Sequence, residues 1–206
     1  VSANFASSPA ADVRMVGVAW RSGGVAHEPA ETHMREAAQQ IESTYPIPRL
    51  QWDYLYNIEP VFLATQPSNV LEFLRINTML GIQKTLDGCS IGCKRYYLGV
   101  IIDPPTSGSY VAGLSTGDVA VGYLDNDNTL GHELGHSAGR SHTRCSGDEG
   151  GPDNSYPYAG GKISDAAFGD SAFYGFDTRT RAIYGPETAD IMSYCSPNWP
   201  SDWTYT

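Results

Sequence analysis

Residues His132–His142 read HELGHSAGRSH. His132 and His136 are four apart, so on a helix they share one face and can bind the same metal ion. Glu133 follows the first of them and is placed to act on a metal-bound water rather than to ligate. Gly139 can end the helix in a left-handed turn that other residues resist. The chain can then double back and offer His142 as a third nitrogen ligand. Three neutral imidazoles with an open fourth position describe a catalytic Zn2+ site, whereas structural sites are closed by protein ligands. The chain has only five histidines, His27 and His33 being the other two. Three of them falling on this pattern argues against a surface helix with unrelated histidines.

The stretch resembles the extended motif of the metzincin zinc endopeptidases, HExxHxxGxxH, at every fixed position. That clan carries a downstream Met-turn that sets a methionine beneath the metal. Asp190–Cys195, reading DIMSYC, fits it with Met192 as the methionine. The Met-x-Tyr form is similar to that of the astacins and serralysins. It implies for Tyr194 a place near zinc, as a fifth ligand or as a hydrogen-bond donor to the transition state. Thr143 departs from the glutamate, aspartate or serine that astacins, adamalysins and matrixins carry after the third histidine, so no subfamily specificity carries over. The segment from Ser196 to Tyr205 resembles the ends of secreted bacterial metzincin-like peptidase domains. HELGH, Gly139, His142 and the Met-turn carry the resemblance; elsewhere only the order of elements agrees.

The resemblance implies a secreted zinc endopeptidase acting on a protein or peptide substrate. His132, His136 and His142 are its metal ligands, Glu133 its general base and then acid, Tyr194 an aid to the oxyanion, and Met192 an apolar floor. Two other readings stay open: a zinc hydrolase acting on a non-peptide bond, and a zinc-containing binding or adhesion module, against which the presence of Glu133 speaks. The implied fold class is α+β: a metzincin-like two-lobed domain with a mixed twisted β-sheet, two long helices, the active-site helix and an irregular C-terminal lobe. Residues 1–206 are expected to form one catalytic domain, divided into subdomains 1–139 and 140–206, with the cleft between them.

Composition narrows the partners. The 206 residues are 41% hydrophobic and 11% aromatic, enough for one ordinary core or two lobes sharing a cleft. A net charge of −10 and a pI near 4.8 leave no basic stripe for nucleic acid. No apolar run approaches the ~20 residues needed to span a membrane. Val1–Ala11 is small and polar, like a trimmed N-terminus, and a monomeric catalytic domain cut from a larger protein is expected. The four cysteines, with no CxxC, suit two disulfides and an oxidising compartment. Of the three pairings, Cys89–Cys93 with Cys145–Cys195 is preferred, because the second would hold the Met-turn in register.

Periodicity predicts a buried strand over Val13–Trp20, a helix over Glu31–Tyr45 stopped by Pro46 and Pro48, and a strand over Leu50–Ile58. A second helix is predicted over Asn69–Leu86, and strands over Tyr96–Ile102 and Val119–Leu124. By the resemblance, the last of these is a sheet edge that pairs with the substrate backbone; a plain glycine-rich hairpin reads equally well. Asn128 or Asp127 is expected to cap the metal-binding helix, although Asp125–Asn128 also resemble Ca2+ ligands. Asp148, Glu149 and Asp153 form a second possible Ca2+ cluster, with a solvated acidic loop the preferred reading. A short helix is expected near Thr188–Ile191. Phe168, Phe173, Tyr174 and Phe176 either line the substrate pocket or pack the core, the core being the more usual place.

Overall fold

The computed structural model describes residues 11–45, 50–58, 63–89, 92–125, 127–145 and 150–205. In chain order the elements are β1 (Ala11–Val18), β2 (Trp20–Ser22), β3 (Val25–His27), α1 (Glu31–Thr44), β4 (Leu50–Ile58), α2 (Val70–Leu86), β5 (Tyr96–Ile101), β6 (Gly113–Thr116), β7 (Val119–Tyr123) and α3 (Thr129–Ser137). Beyond α3 the described residues form only short pieces: β8 (Gly175–Phe176), β9 (Ile183–Tyr184), β10 (Ala189–Asp190), β11 (Asn198–Trp199) and α4 (Asp202–Tyr205), with a 3-10 turn at Ala159–Gly161. The class is α+β, as the sequence predicts. Pro46, Pro48, Asp148, Glu149 and the first ten residues lie outside the described residues.

The main sheet has the order β4-β1-β5-β7-β6. Its first four strands run parallel, and β6 closes one side antiparallel to β7. Successive side chains on a strand point to opposite faces, and the strands use both. Val16, Val18, Tyr97, Ile101, Val119, Val121 and Tyr123 pack with Phe73, Ile76 and Leu80 of α2. Val13, Met15, Leu98, Val100 and Ala120 pack with Met34, Ala37, Ala38 and Ile41 of α1 and with Leu130 and Leu134 of α3. Strands buried on both faces read as continuous apolar runs, which is why the sequence shows them so clearly. Helix α2 begins with a reciprocal cap. Asn69 Oδ1 accepts from the amides of Leu71 and Glu72, and Glu72 Oε2 accepts from the amides of Ser68 and Asn69.

Three expectations need correction. The sheet edge beside α3 is β6, not the strand at 119–124, which lies between β5 and β6. The alternative reading, a glycine-rich hairpin, holds: the chain turns back at Gly117 (φ +66°) and β6 pairs antiparallel with β7. No helix forms at Thr188–Ile191; Ala189–Asp190 pairs instead with Asn198–Trp199. The aromatics Phe168, Phe173, Tyr174 and Phe176 are neither core nor part of the cleft that holds the histidines. They are 44–81% exposed, and the last three border a separate groove with Trp199 and Tyr205.

Both preferred disulfides are formed, Cys89–Cys93 and Cys145–Cys195. The second spans 50 residues and ties the segment after His142 to the turn that carries Met192. In the chain-entropy treatment a loop of that length contributes ~4 kcal/mol, and a loop as short as the first contributes about half as much. A Cys145→Ser/Cys195→Ser variant should therefore lose clearly more stability than Cys89→Ser/Cys93→Ser in urea unfolding. Equal losses would show that the long loop is already restricted in the unfolded chain.

Candidate metal centre and cleft

Helix α3 is only nine residues long, too short to be stable alone, so its neighbours hold it. Its start is fixed by Asp125. Asp125 Oδ1 accepts from the amides of Asp127 (3.1 Å) and Thr129 (3.2 Å), and Oδ2 accepts from the Thr129 hydroxyl (2.6 Å). This corrects the expected cap. Asn128 occupies the cap position in a left-handed conformation (φ +59°) and makes no side-chain cap bond. Its amide nitrogen donates instead to Asn198 Oδ1 at 3.2 Å. The end of α3 follows the sequence reading. Gly139 takes φ +89°, its amide donates to His136 O, and the Arg140 amide donates to Gly135 O, both at 2.9 Å. That is the Schellman pattern, and it reverses the chain towards His142.

The reversal brings the three imidazoles together. His136 Nε2 lies 3.0 Å from His132 Nε2 and 2.9 Å from His142 Nε2. Each ring gives its Nδ1 proton to a main-chain carbonyl: His132 to Ile191 O (2.7 Å), His136 to Arg140 O (2.7 Å) and His142 to Gly150 O (2.6 Å). Those bonds fix the tautomer and leave three Nε2 lone pairs aimed at one point. Burial, helped by the neighbouring imidazoles, pushes His132 down to about 3 and His136 below its ordinary value. Neutral rings are the form a metal binds. The donor set fits Zn2+, and among the described residues this is the one group placed to hold a metal ion.

Of the residues that resemble Ca2+ ligands, Asn126, Asp148 and Glu149 lie outside the described residues, and Asp125 and Asp153 are engaged elsewhere. The carboxylate of Asp125 serves the helix cap, and that of Asp153 is held by Ser155 (2.8 Å from the amide, 2.5 Å from the hydroxyl) and by Trp203 Nε1 (3.0 Å).

Glu133 is buried at the same place, and its Oε2 has no hydrogen-bond partner. Burial alone raises its pKa to about 8. A buried orphan carboxylate oxygen is costly, and here it borders a cleft of 760 Å³ together with the three histidines, Gly113, Ser115 and Tyr194. The edge strand approaches α3 across two paired glycines, Gly113 and Gly122. A Cβ on Gly113 would lie 2.5 Å from Glu133 Cγ, and one on Gly122 would lie 3.0 Å from Thr129 Cγ2. Tyr194 is 63% exposed, with its ring centroid 4.7 Å from that of His142 and 5.9 Å from that of His132.

The turn that carries Met192 packs against the helix that carries His132 and His136. Met192 is buried against α3 at Gly135, where a Cβ would collide with the methionine sulfur. Asp190 is fully buried. Its Oδ1 accepts from the Met192 amide (2.7 Å), and its Oδ2 accepts from the Ser201 amide (2.9 Å) and the Thr204 hydroxyl (2.7 Å). The Thr143 amide donates to Met192 O at 3.0 Å, tying the residue after the third histidine to the turn. Sequence reasoning missed the roles of Gly113, Asp190 and the carbonyls of Arg140, Gly150 and Ile191. Carbonyls carry no side-chain signal; the one visible hint was the repeated glycine at Gly131 and Gly135.

Three imidazoles with converging Nε2 atoms beside a buried glutamate in an open cleft are the parts of a metallohydrolase. The family model of Peptidase M66, a zinc metallopeptidase family, matches residues 75–198. That span covers well over half the chain and includes the triad and the Met-turn, so the chain belongs to the Peptidase M66 family. No curated protein and no solved structure matches it.

The metal-free protein gives a direct check on Glu133. Its unfolded carboxyl ionises near 4.5 and its folded carboxyl near 8. The contribution of this group is therefore fully present below pH 4.5 and is lost as pH rises towards about 8. In chelator, Glu133→Gln should raise the unfolding midpoint at pH ~8 and change it little at pH ~5. Equal midpoints for variant and wild type at the higher pH would mean that the carboxylate is solvated.

Proposed function

We propose that this zinc metallopeptidase is a secreted endopeptidase of the metzincin type and that residues 1–206 act as one catalytic domain divided near Gly139. One observation carries the reading: the unpartnered, buried Oε2 of Glu133 stands in the same cleft as three imidazoles, the Nε2 of His136 lying within 3.0 Å of the Nε2 atoms of His132 and His142. Zinc held there supplies Lewis acidity, polarising a carbonyl and lowering the pKa of water towards ~7. Glu133 takes the proton of the attacking water and delivers it to the leaving amine. Its isolation from other donors leaves Oε2 available for that proton. Tyr194, at the mouth of the cleft beside His142, gives a hydrogen bond to the developing oxyanion. Met192 packs behind the metal-binding helix without ligating.

The edge strand supports an extended peptide as substrate. The Tyr123 amide donates to Ala112 O at 3.0 Å, so Ala112 and Tyr123 form a hydrogen-bonded pair. By antiparallel alternation and the register Gly113↔Gly122 and Ser115↔Ala120, the N–H and C=O groups of Gly113 and Ser115 point outward. Both residues border the cleft. A substrate strand can pair with them and lie across the three histidines, which is β-augmentation at an exposed edge. The two disulfides support an oxidising, extracellular setting.

Zinc-loaded protein incubated with a diverse peptide library, read by mass spectrometry, should produce internal cuts that Glu133→Ala abolishes while still binding one zinc. Absence of cuts by a wild-type protein that holds zinc would overturn the endopeptidase reading. On the best substrate found, Tyr194→Phe should lower kcat by roughly 10-fold or more, the scale of a lost oxyanion donor, with zinc content unchanged. An unaltered kcat would remove Tyr194 from the reaction.

A further inference from the structure

We propose that Tyr45 is a positioning residue for the metal centre: its hydroxyl bond to Gly131 O sets how far α3 slides along its axis, and so whether His132, Glu133 and His136 meet their partners. The inference rests on the metallopeptidase reading above.

Tyr45 is the residue that closes α1, its amide donating to Ile41 O at 3.0 Å. Its side chain leaves α1 and crosses to the rear of α3, where the hydroxyl donates to Gly131 O at 2.7 Å. A carbonyl has two lone pairs, so Gly131 O can serve the helix ladder and Tyr45 together. Burial pushes the Tyr45 hydroxyl far above its ordinary pKa, so it remains a donor at any working pH.

The rear of α3 is shaped for this approach. Gly131 and Gly135 are four apart and lie one above the other. A Cβ on Gly135 would lie 2.8 Å from Tyr45 Oη and would strike Met192, and one on Gly131 would lie 3.1 Å from Ile191 Cδ1 and 3.7 Å from Tyr45 Cε2. Tyr45 from α1 and the Met-turn from the irregular half therefore grip one glycine stripe, with His132 and His136 on the neighbouring face, about 100° round the helix. The two grips differ in kind. On the Met192 side, apolar contact fixes the distance of α3 and resists sliding weakly, and the directional bond from that side is the one His132 itself gives to Ile191 O. A short hydrogen bond to a single carbonyl is directional and fixes the axial position. Sliding matters because His132 must reach Ile191 O, and Glu133 must fit beneath Gly113.

The test uses two conservative variants of the whole chain. Tyr45→Phe removes the hydroxyl that touches α3. Tyr205→Phe removes a hydroxyl that bonds the adjacent Thr44 O at 3.0 Å but does not reach α3. Zinc affinity is measured by chelator competition, beside thermal unfolding and peptide kinetics. Tyr45→Phe should weaken zinc about 10-fold, the scale at which outer partners act on metal sites, and should lower kcat more than it raises KM. Tyr205→Phe should lower the unfolding temperature and leave zinc affinity unchanged. Wild-type zinc affinity in Tyr45→Phe, or equal weakening in both variants, overturns the proposal and leaves the metallopeptidase reading standing. A wild-type protein that binds no zinc overturns both.

Discussion

Three imidazole Nδ1–H groups each donate to a main-chain carbonyl, and the three carbonyls come from three separate parts of the chain. Arg140 lies just past the helix, Gly150 in the loop that follows, and Ile191 in the Met-turn. A ring held at Nδ1 has its Nε2 lone pair held as well. The triad therefore exists only when the helix turn, the loop return and the Met-turn are all in place. The features around it serve that condition. Gly139 makes the turn, the Thr143 amide fastens the return to Met192 O, and the Cys145–Cys195 disulfide closes the same pair of segments covalently.

Packing three imidazoles and a carboxylate this tightly works against stability. Burial opposes charge on His132 and His136, and it raises the pKa of Glu133. Each orphaned buried group costs roughly 1–3 kcal/mol. The offset comes from the two apolar layers on either face of the sheet, which need nothing from the site. Only α3 joins the two demands. Leu130 and Leu134 anchor it in the core, and His132, Glu133 and His136 occupy its other side. Its short length makes that possible, since a helix with few bonds of its own takes the position its contacts dictate.

The sequence was legible where one side chain or one period carries the signal. Largely buried strands such as Tyr96–Ile101 and amphipathic α1 follow from apolar spacing, and the histidines and Gly139 carry their own chemistry. What stayed hidden depends on the partner rather than the residue. Asn128 looks like a cap and is not, because the left-handed turn swings it to Asn198 and leaves capping to Asp125. The glycine-rich hairpin was one of two equal readings, but which of its strands forms the edge stayed hidden, because so many glycines leave little side-chain alternation to read. Gly113 matters for the side chain it leaves room for, and composition cannot show that.

The irregular half was the least legible, and Asp190 shows why. Its carboxylate collects the Met192 amide, the Ser201 amide and the Thr204 hydroxyl at complete burial. Its carbonyl also accepts from the Ser193 amide and hydroxyl. One polar residue thus does locally what a strand or helix would do through its backbone ladder. Such a hub has no period, so no hydrophobic pattern announces it. The turn built on Asp190 leaves the Ile191 carbonyl aimed at His132. The irregularity of this half follows from its task of delivering one carbonyl and one methionine to a helix that belongs to the other half.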